Sequence, residues 1–189
     1  YAGGKDVMKA TGNVRRIDDL GRVVVPKEIR RTLRLREGTP LEIFTDREGE
    51  IILKKYSPMV ELAAFAGQYA EAMSQATGLI VCITDRDQVI AVSGGARKEL
   101  LQKAISQSLE RVINERQTIQ AGKDDKSFVR LVDEELEGIT AQVVAPIICE
   151  GDAIGAVAIM SREPRARFGE MEMKLAASAA SFLGRQLEQ

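Results

Sequence analysis

The chain has 189 residues, 44% of them hydrophobic and 29% charged, with a net charge of −1 and no histidine. Without histidine there is no Ser-His-Asp triad, no Cys-His pair and no histidine-bearing zinc site, so neither an enzyme nor a metal or cofactor protein is expected. No apolar run approaches the ~20 residues of a membrane-crossing helix and no secretory leader is visible, so no membrane partner is expected.

The length allows one medium domain or two small ones. Charge favours two. Met8 to Lys55 holds 12 basic and 8 acidic residues, a net of +4, whereas Tyr56 to Gln189 holds 14 basic and 19 acidic, a net of −5. The expected division is residues 1–7 as an appended remnant ahead of a start at Met8, 8–55 as a basic module, 56–78 as a linker and first helix, and 79–189 as a second domain.

Val14 to Ile17 alternates polar and apolar residues, and Asp18-Asp19-Leu20-Gly21 is a turn. Arg22 to Val25 (RVVV) is β-branched and predicts a strand, which Pro26 ends. Pro26 also suits a helix start, and Ile29 and Leu33 put one apolar stripe on the turn that follows. Leu41–Thr45 and Ile51–Lys54 flank Asp46-Arg47-Glu48-Gly49, which predicts a hairpin. Strands this short bury little, and so small a domain is marginal alone. A dimer in which two units complete one barrel is the expected remedy. Lys9 to Arg36 carries nine basic and three acidic residues, an excess suited to a polyanion.

The stretch MKATGNVRRIDDLGRVVVPKEIRRTLRLREGTPLEIFTDREGEIILKKY resembles the N-terminal domain of the AbrB family of transition-state regulators. The LGRVVVPKEIRRTL block and the EIILKKY ending carry the resemblance. It implies a swapped-hairpin β-barrel, dimeric by interleaved hairpins, that binds double-stranded DNA through arginines on one face. The matching positions are Arg15, Arg16, Arg22, Arg30 and Arg31, with Lys9 nearby. Asn13 stands where the family has an apolar residue. An arginine fork suits phosphate oxygens and the guanine edge, and the helical turn is too short for a recognition helix, so DNA shape is expected to contribute to specificity.

Beyond the barrel, Ser57-Pro58 starts a helix over Met59 to Thr77, which Gly78 ends. Strands are predicted at Leu79–Thr84 and Gln88–Ser93, then a single helix from about Ala96 to Arg116, a loop over Gln117–Ser127 and a short strand over Phe128–Val132. Thr140–Cys149 and Ala153–Ser161 form a hairpin, and Gly169–Glu188 is the last helix. The fold class is α+β, an antiparallel sheet with flanking helices. The two longest helices are expected to pack together and to offer surplus apolar surface for a tetramer. VVAPIICEGDAIGAVAI resembles the GAF-domain pattern, which implies a possible small-molecule effector, with no effector-binding residue identified. Cys82 and Cys149 read as inert thiols.

The whole-chain resemblance, to sporulation regulators of the AbrB type, implies a cytoplasmic, nucleoid-associated regulator of late forespore genes, activating or repressing. The alternative is an antitoxin-type interaction module on the same barrel. Antitoxin tails are short and disordered, whereas this second half is patterned to fold.

Overall fold

In the structure, a computed structural model, residues 11–188 are described, except for the side chains of residues 60 and 61. The chain divides into two units, Tyr1–Tyr56 and Ser57–Gln189.

The first unit holds helix α1 (Lys27–Thr32) and the strands β1 (Leu41–Thr45) and β2 (Ile51–Lys55), which pair antiparallel from Leu41↔Lys55 to Thr45↔Ile51. Pro26 precedes α1 with φ −57° and its carbonyl accepts from the Arg30 amide at 3.0 Å. Proline fits there because the first turn of a helix leaves its N–H groups unbonded. The β1–β2 turn is tied by Asp46, whose Oδ1 accepts from the amides of Glu48 (3.0 Å) and Glu50 (2.8 Å). The expected first hairpin is different. The Asp18–Gly21 turn forms, with Gly21 at φ 75°, but Val14–Ile17 and Arg22–Val25 form no ladder. A β-branched segment needs a partner edge, and within one chain this one has none.

The second unit is a five-stranded antiparallel sheet between two layers. Its strands are β3 (Ile80–Thr84), β4 (Val89–Ser93), β5 (Ile119–Gly122), β6 (Ala141–Cys149) and β7 (Asp152–Ser161), in spatial order β4-β3-β7-β6-β5. The helices are α2 (Pro58–Glu61), α3 (Ala63–Thr77), α4 (Arg97–Leu100), α5 (Gln107–Glu115) and α6 (Glu170–Gln186). Alternation along the strands separates two cores. Val81, Ile83, Val143, Ile147, Val157 and Ile159 face Ala66 and Ala70 of α3 and Ala176, Ala179 and Leu183 of α6. Cys82, Val144, Ala158 and Met160 face Leu100, Leu109, Ile113 and the segment after β5.

α3 and α6 pack together as expected, with Phe182 at 5.8 Å from Phe65 and 5.4 Å from Tyr69 between ring centroids. Three close approaches demand glycine, one of them at Gly94, where a Cβ would lie 2.4 Å from the Leu79 carbonyl oxygen. A Cβ on Gly155 of β7 would lie 2.0 Å from the Thr84 carbonyl oxygen, and one on Gly184 of α6 would lie 2.1 Å from that of Ile148.

Four sequence expectations are corrected. The helix over Met59–Thr77 is interrupted at Leu62. The single helix over Ala96–Arg116 is two, because Leu101–Ser106 leaves the helix to bridge neighbours, Gln88↔Ala104 and Ile105↔Val132. Ser106 then caps α5, its hydroxyl accepting from the Leu109 amide at 3.0 Å. The loop over Gln117–Ser127 contains β5, paired with β6 from Ile119↔Val144 to Gly122↔Ala141. Phe128–Val132 is not a strand; a single bridge at Val132 and the side chain of Gln142 hold it.

Candidate nucleic-acid interface and effector cavity

The predicted DNA-contacting arginines all lie in the first unit, and all are exposed: Arg15 and Arg16 in the unpaired stretch, Arg22 after the Asp18 turn, Arg30 and Arg31 on α1. Lys9 lies outside the described residues. The structure brings Arg30 and Arg31 together on one helical turn.

Arg22 has a local partner. Its Nε donates to Asp18 Oδ2 at 2.9 Å and its amide donates to Asp18 Oδ1 at 2.8 Å. These two bonds hold the Asp18 carboxyl below the usual carboxylate range, the amide contributing most. The guanidinium is exposed, and an exposed ion pair is weak, so a phosphate competes for it readily.

Beside these cations sits a second exposed set that is apolar. Val14, Ile17, Leu20 and Val24 are 88%, 66%, 70% and 70% exposed, and Ile43 and Ile51 of the hairpin are each 67% exposed. A soluble chain does not leave this much β-branched surface in water within one small unit unless something covers it. Asp46, Glu48 and Glu50 bring carboxylates within 4.8 Å at the hairpin tip. Sharing with Asp46 pushes Glu50 up, while the amide of Glu50 holds Asp46 down.

The second unit contains a cavity of about 300 Å³ that sequence reasoning missed. Its floor is Gln142 and Met160, neighbours across β6 and β7, and its cover is the segment 123–139, with Phe128, Leu131 and Ile139 supplying apolar walls. Gln142 is 1% exposed; its amide donates to the Val129 carbonyl at 2.8 Å and its Oε1 accepts from the Val129 amide. One buried side chain thus substitutes for a strand partner and pins the cover. At the rim, Arg130 pairs with Glu135 at 3.7 Å. A buried-strand glutamine among apolar residues was the available signal.

At the start of the unit, the Ser57 hydroxyl donates to Asp85 Oδ2 at 3.4 Å, while Asp85 Oδ1 accepts from the amides of Asp87 (2.7 Å) and Gln88 (2.8 Å). Burial pushes the Asp85 carboxyl up, against these bonds. Cys82 is fully buried and its thiol is pushed up to about 12; Cys149, partly exposed, is also raised, by burial and then by Glu188. Both thiols are free and in their protonated, unreactive form. Among the described residues no helix is long and apolar enough to cross a membrane.

Comparison with known proteins agrees with the geometry. The family model for the stage V sporulation protein T C-terminal, transcription factor, matches residues 61–188, and that for the antidote-toxin recognition MazE, bacterial antitoxin, matches residues 14–60. Over 182 residues the chain is 54% identical to stage V sporulation protein T of Bacillus subtilis (strain 168), covering 96% of this chain and 100% of that protein. Over 51 residues it is 61% identical to the transition state regulatory protein AbrB of the same organism, covering 27% of this chain and 52% of that protein. The GAF domain from Acinetobacter phosphoenolpyruvate-protein phosphotransferase superposes with a TM-score of 0.52 at 12% identity, covering 69% of this chain and 90% of that one, a likeness of fold alone. The chain belongs to the stage V sporulation protein T family of transcription factors, regulators rather than enzymes, with an AbrB-type DNA-recognition domain ahead of a GAF-like domain.

Proposed function

We propose that the chain regulates late, forespore-stage genes of sporulation, as activator or repressor, by gripping duplex DNA with Arg15, Arg16, Arg22, Arg30 and Arg31, and with Lys9. The unit that grips is residues 8–55, and it works as a dimer: the unpaired stretches 14–17 and 22–25 interleave with a second copy and bury their valines there. The observation that carries this reading is the coincidence, in one short unit, of exposed arginines with exposed β-branched residues that have no ladder partner in their own chain. Residues 79–189 assemble the dimers into a tetramer and hold a small-molecule effector in the cavity over Gln142, while 56–78 joins the two parts. The regulator works in the cytoplasm, on the nucleoid. The match of residues 14–60 to an antitoxin model favours a second reading, a toxin-covering module, but the folded 57–188 region with two cores supports a regulator instead.

The test is a salt titration of DNA binding by wild type and by Arg15→Gln/Arg22→Gln/Arg30→Gln. Each phosphate contact contributes about 0.9 to the slope of log K against log salt. The triple variant is expected to lower that slope by about 2 to 3 per protomer engaged and to abolish binding near physiological salt. An unchanged slope contradicts the assignment.

A further inference from the structure

The cover of the cavity over Gln142 carries a net charge. Residues 123–139 hold six acids, Asp124, Asp125, Asp133, Glu134, Glu135 and Glu137, against Lys123, Lys126 and Arg130, a net of −3. Four of these acids line the cavity, Asp124, Asp125, Glu134 and Glu135, with Lys123 and Arg130 as the cations among them. All six lining charges are exposed. Arg130 pairs with Glu135 at 3.7 Å, and Lys103, from outside the lining, pairs with Glu134 at 3.6 Å. Both contacts are longer than a hydrogen bond and join exposed side chains, so they are weak and an arriving charge replaces them readily. Even with Lys103 counted, four acids face three cations, and the mouth stays anionic.

The interior is of the opposite kind. Leu131, Ile139 and Met160 are buried, and Phe128 and Leu136 are half-buried. Gln142 is the one polar side chain among the buried lining residues, and both ends of its amide are bonded to Val129. Among the described residues the one buried side-chain nitrogen or oxygen without a hydrogen-bond partner is Thr84 Oγ1, which is not part of the lining. The interior therefore keeps no unmet polar side chain for a ligand to satisfy, and a polar group carried inside would lose its water without compensation. Phe128 belongs to both zones. Its amide donates to the Asp125 carbonyl at 3.0 Å, while Asp125 Oδ2 accepts from the Gly122 amide at 2.7 Å, so one turn fixes a carboxylate and an aromatic ring in the same lining.

We propose that the ligand of this cavity is a small organic amine, its ammonium held at the mouth among Asp124, Asp125, Glu134 and Glu135 and its apolar body seated against Phe128, Leu131, Ile139 and Met160. This rests on the reading of the cavity as an effector site and adds the chemical class of the effector. An ammonium gains from carboxylates and from an aromatic face together. A carboxylate or phosphate head at the same mouth would meet four anions and only two cations of the lining. The volume of about 300 Å³ is at the small end of ligand pockets, which suits one short-bodied molecule. Such a ligand touches the floor at Met160 and the cover at Asp124 and Glu134, so its binding holds the cover onto the sheet.

The test titrates the full-length protein with phenylbutylamine, phenylbutanoate and phenylbutanol, one skeleton with a positive, a negative and a neutral head. Calorimetry and the Met160 methyl resonance read binding, and affinity for duplex DNA reads its consequence. The amine is expected to shift the Met160 methyl and to bind about tenfold more tightly than the other two. Asp124→Asn/Glu134→Gln, both exposed positions, is expected to remove that preference and leave three nearly equal affinities. Equal or tighter binding of phenylbutanoate or phenylbutanol to wild type overturns the amine class and leaves the cavity's effector role standing. Amine binding that the double variant does not weaken overturns it too, as does an unmoved Met160 methyl with all three compounds. Amine binding at Met160 with unchanged DNA affinity upholds the class and removes the effector role instead, so the two failures are distinguishable.

Discussion

The two units of this chain solve the burial problem in opposite ways. Residues 57–188 bury two complete apolar faces of one sheet, with Val81, Ile83, Val143, Ile147, Val157 and Leu183 all at 0% exposure. In residues 11–56, α1 buries nothing, and Val14, Ile17 and Val24 stand in water. The second unit is stable by its own contacts. The first exposes apolar residues of the kind that form a core, and the proposed dimer would supply the other half of that core.

Separating the units gives the largest expected effect. A fragment of residues 57–189 is expected to unfold cooperatively at a temperature independent of protein concentration. In the intact chain the first unit's transition is expected to rise with concentration, as dimer-linked folding requires. Calorimetry over a hundredfold concentration range checks both.

Close packing comes next. Gly155→Ala and Gly184→Ala each force a methyl against a carbonyl oxygen, and each is expected to destabilise the second unit by about 3 kcal/mol in denaturant unfolding. The same substitution at Gly67 or Gly151, where a Cβ meets nothing within 4 Å, tests whether clash is the cause. Gly67 lies within α3, where alanine is the better residue and a neutral or stabilising change is expected; Gly151 sits at φ 84°, where strain alone remains. Gln142→Leu leaves the Val129 amide and carbonyl without partners, and about 2 kcal/mol of destabilisation is expected, together with faster amide exchange across 123–139.

The smallest effects sharpen the contrast through chemistry. In the folded protein an alkylating reagent at pH 8 is expected to modify Cys149 slowly and Cys82 not at all, since the latter thiol titrates at about 12. Mass spectrometry of the labelled peptides reads this. The Asp18 carboxyl is lowered in the folded chain, so its contribution to the turn is present above its ordinary pKa and lost as pH falls through the lower, folded value. Asp18→Asn is expected to remove that acid dependence in a pH series of melts. Asp85 has the opposite sign: its raised pKa favours the folded state below the ordinary value and ceases to do so as pH rises through the folded one.

Much of this was legible in the sequence because the signals are local. Glycine turns and β-branched runs gave β1–β2, β3–β4 and β6–β7 within a residue or two, and proline and glycine placed α1 and the end of α3. Charge density and the AbrB-type block single out the arginines, and the structure leaves all five exposed; their contact with DNA belongs to the proposal. What was not legible depends on distant partners. Leu101–Ser106 reads as helix until Ile105 bridges Val132 and Gln88 bridges Ala104. Ile119–Gly122 reads as loop, being short and polar, and is a strand because β6 offers an edge. Phe128–Val132 reads as strand, yet a glutamine side chain holds it instead. The cavity was invisible for the same reason, since its floor and cover come from segments far apart in sequence. RVVV at Arg22–Val25 goes one step further: its sequence is that of a strand, yet it forms no ladder within its own chain, and the proposed dimer would supply the partner.

The most direct measurement is amide hydrogen exchange at Val14–Ile17 and Arg22–Val25 in the intact protein. In a lone chain these amides have no ladder partner and exchange within seconds. Interleaving with a second copy predicts protection across both stretches that rises with protein concentration. Fast exchange at every concentration, with DNA binding preserved, would contradict it.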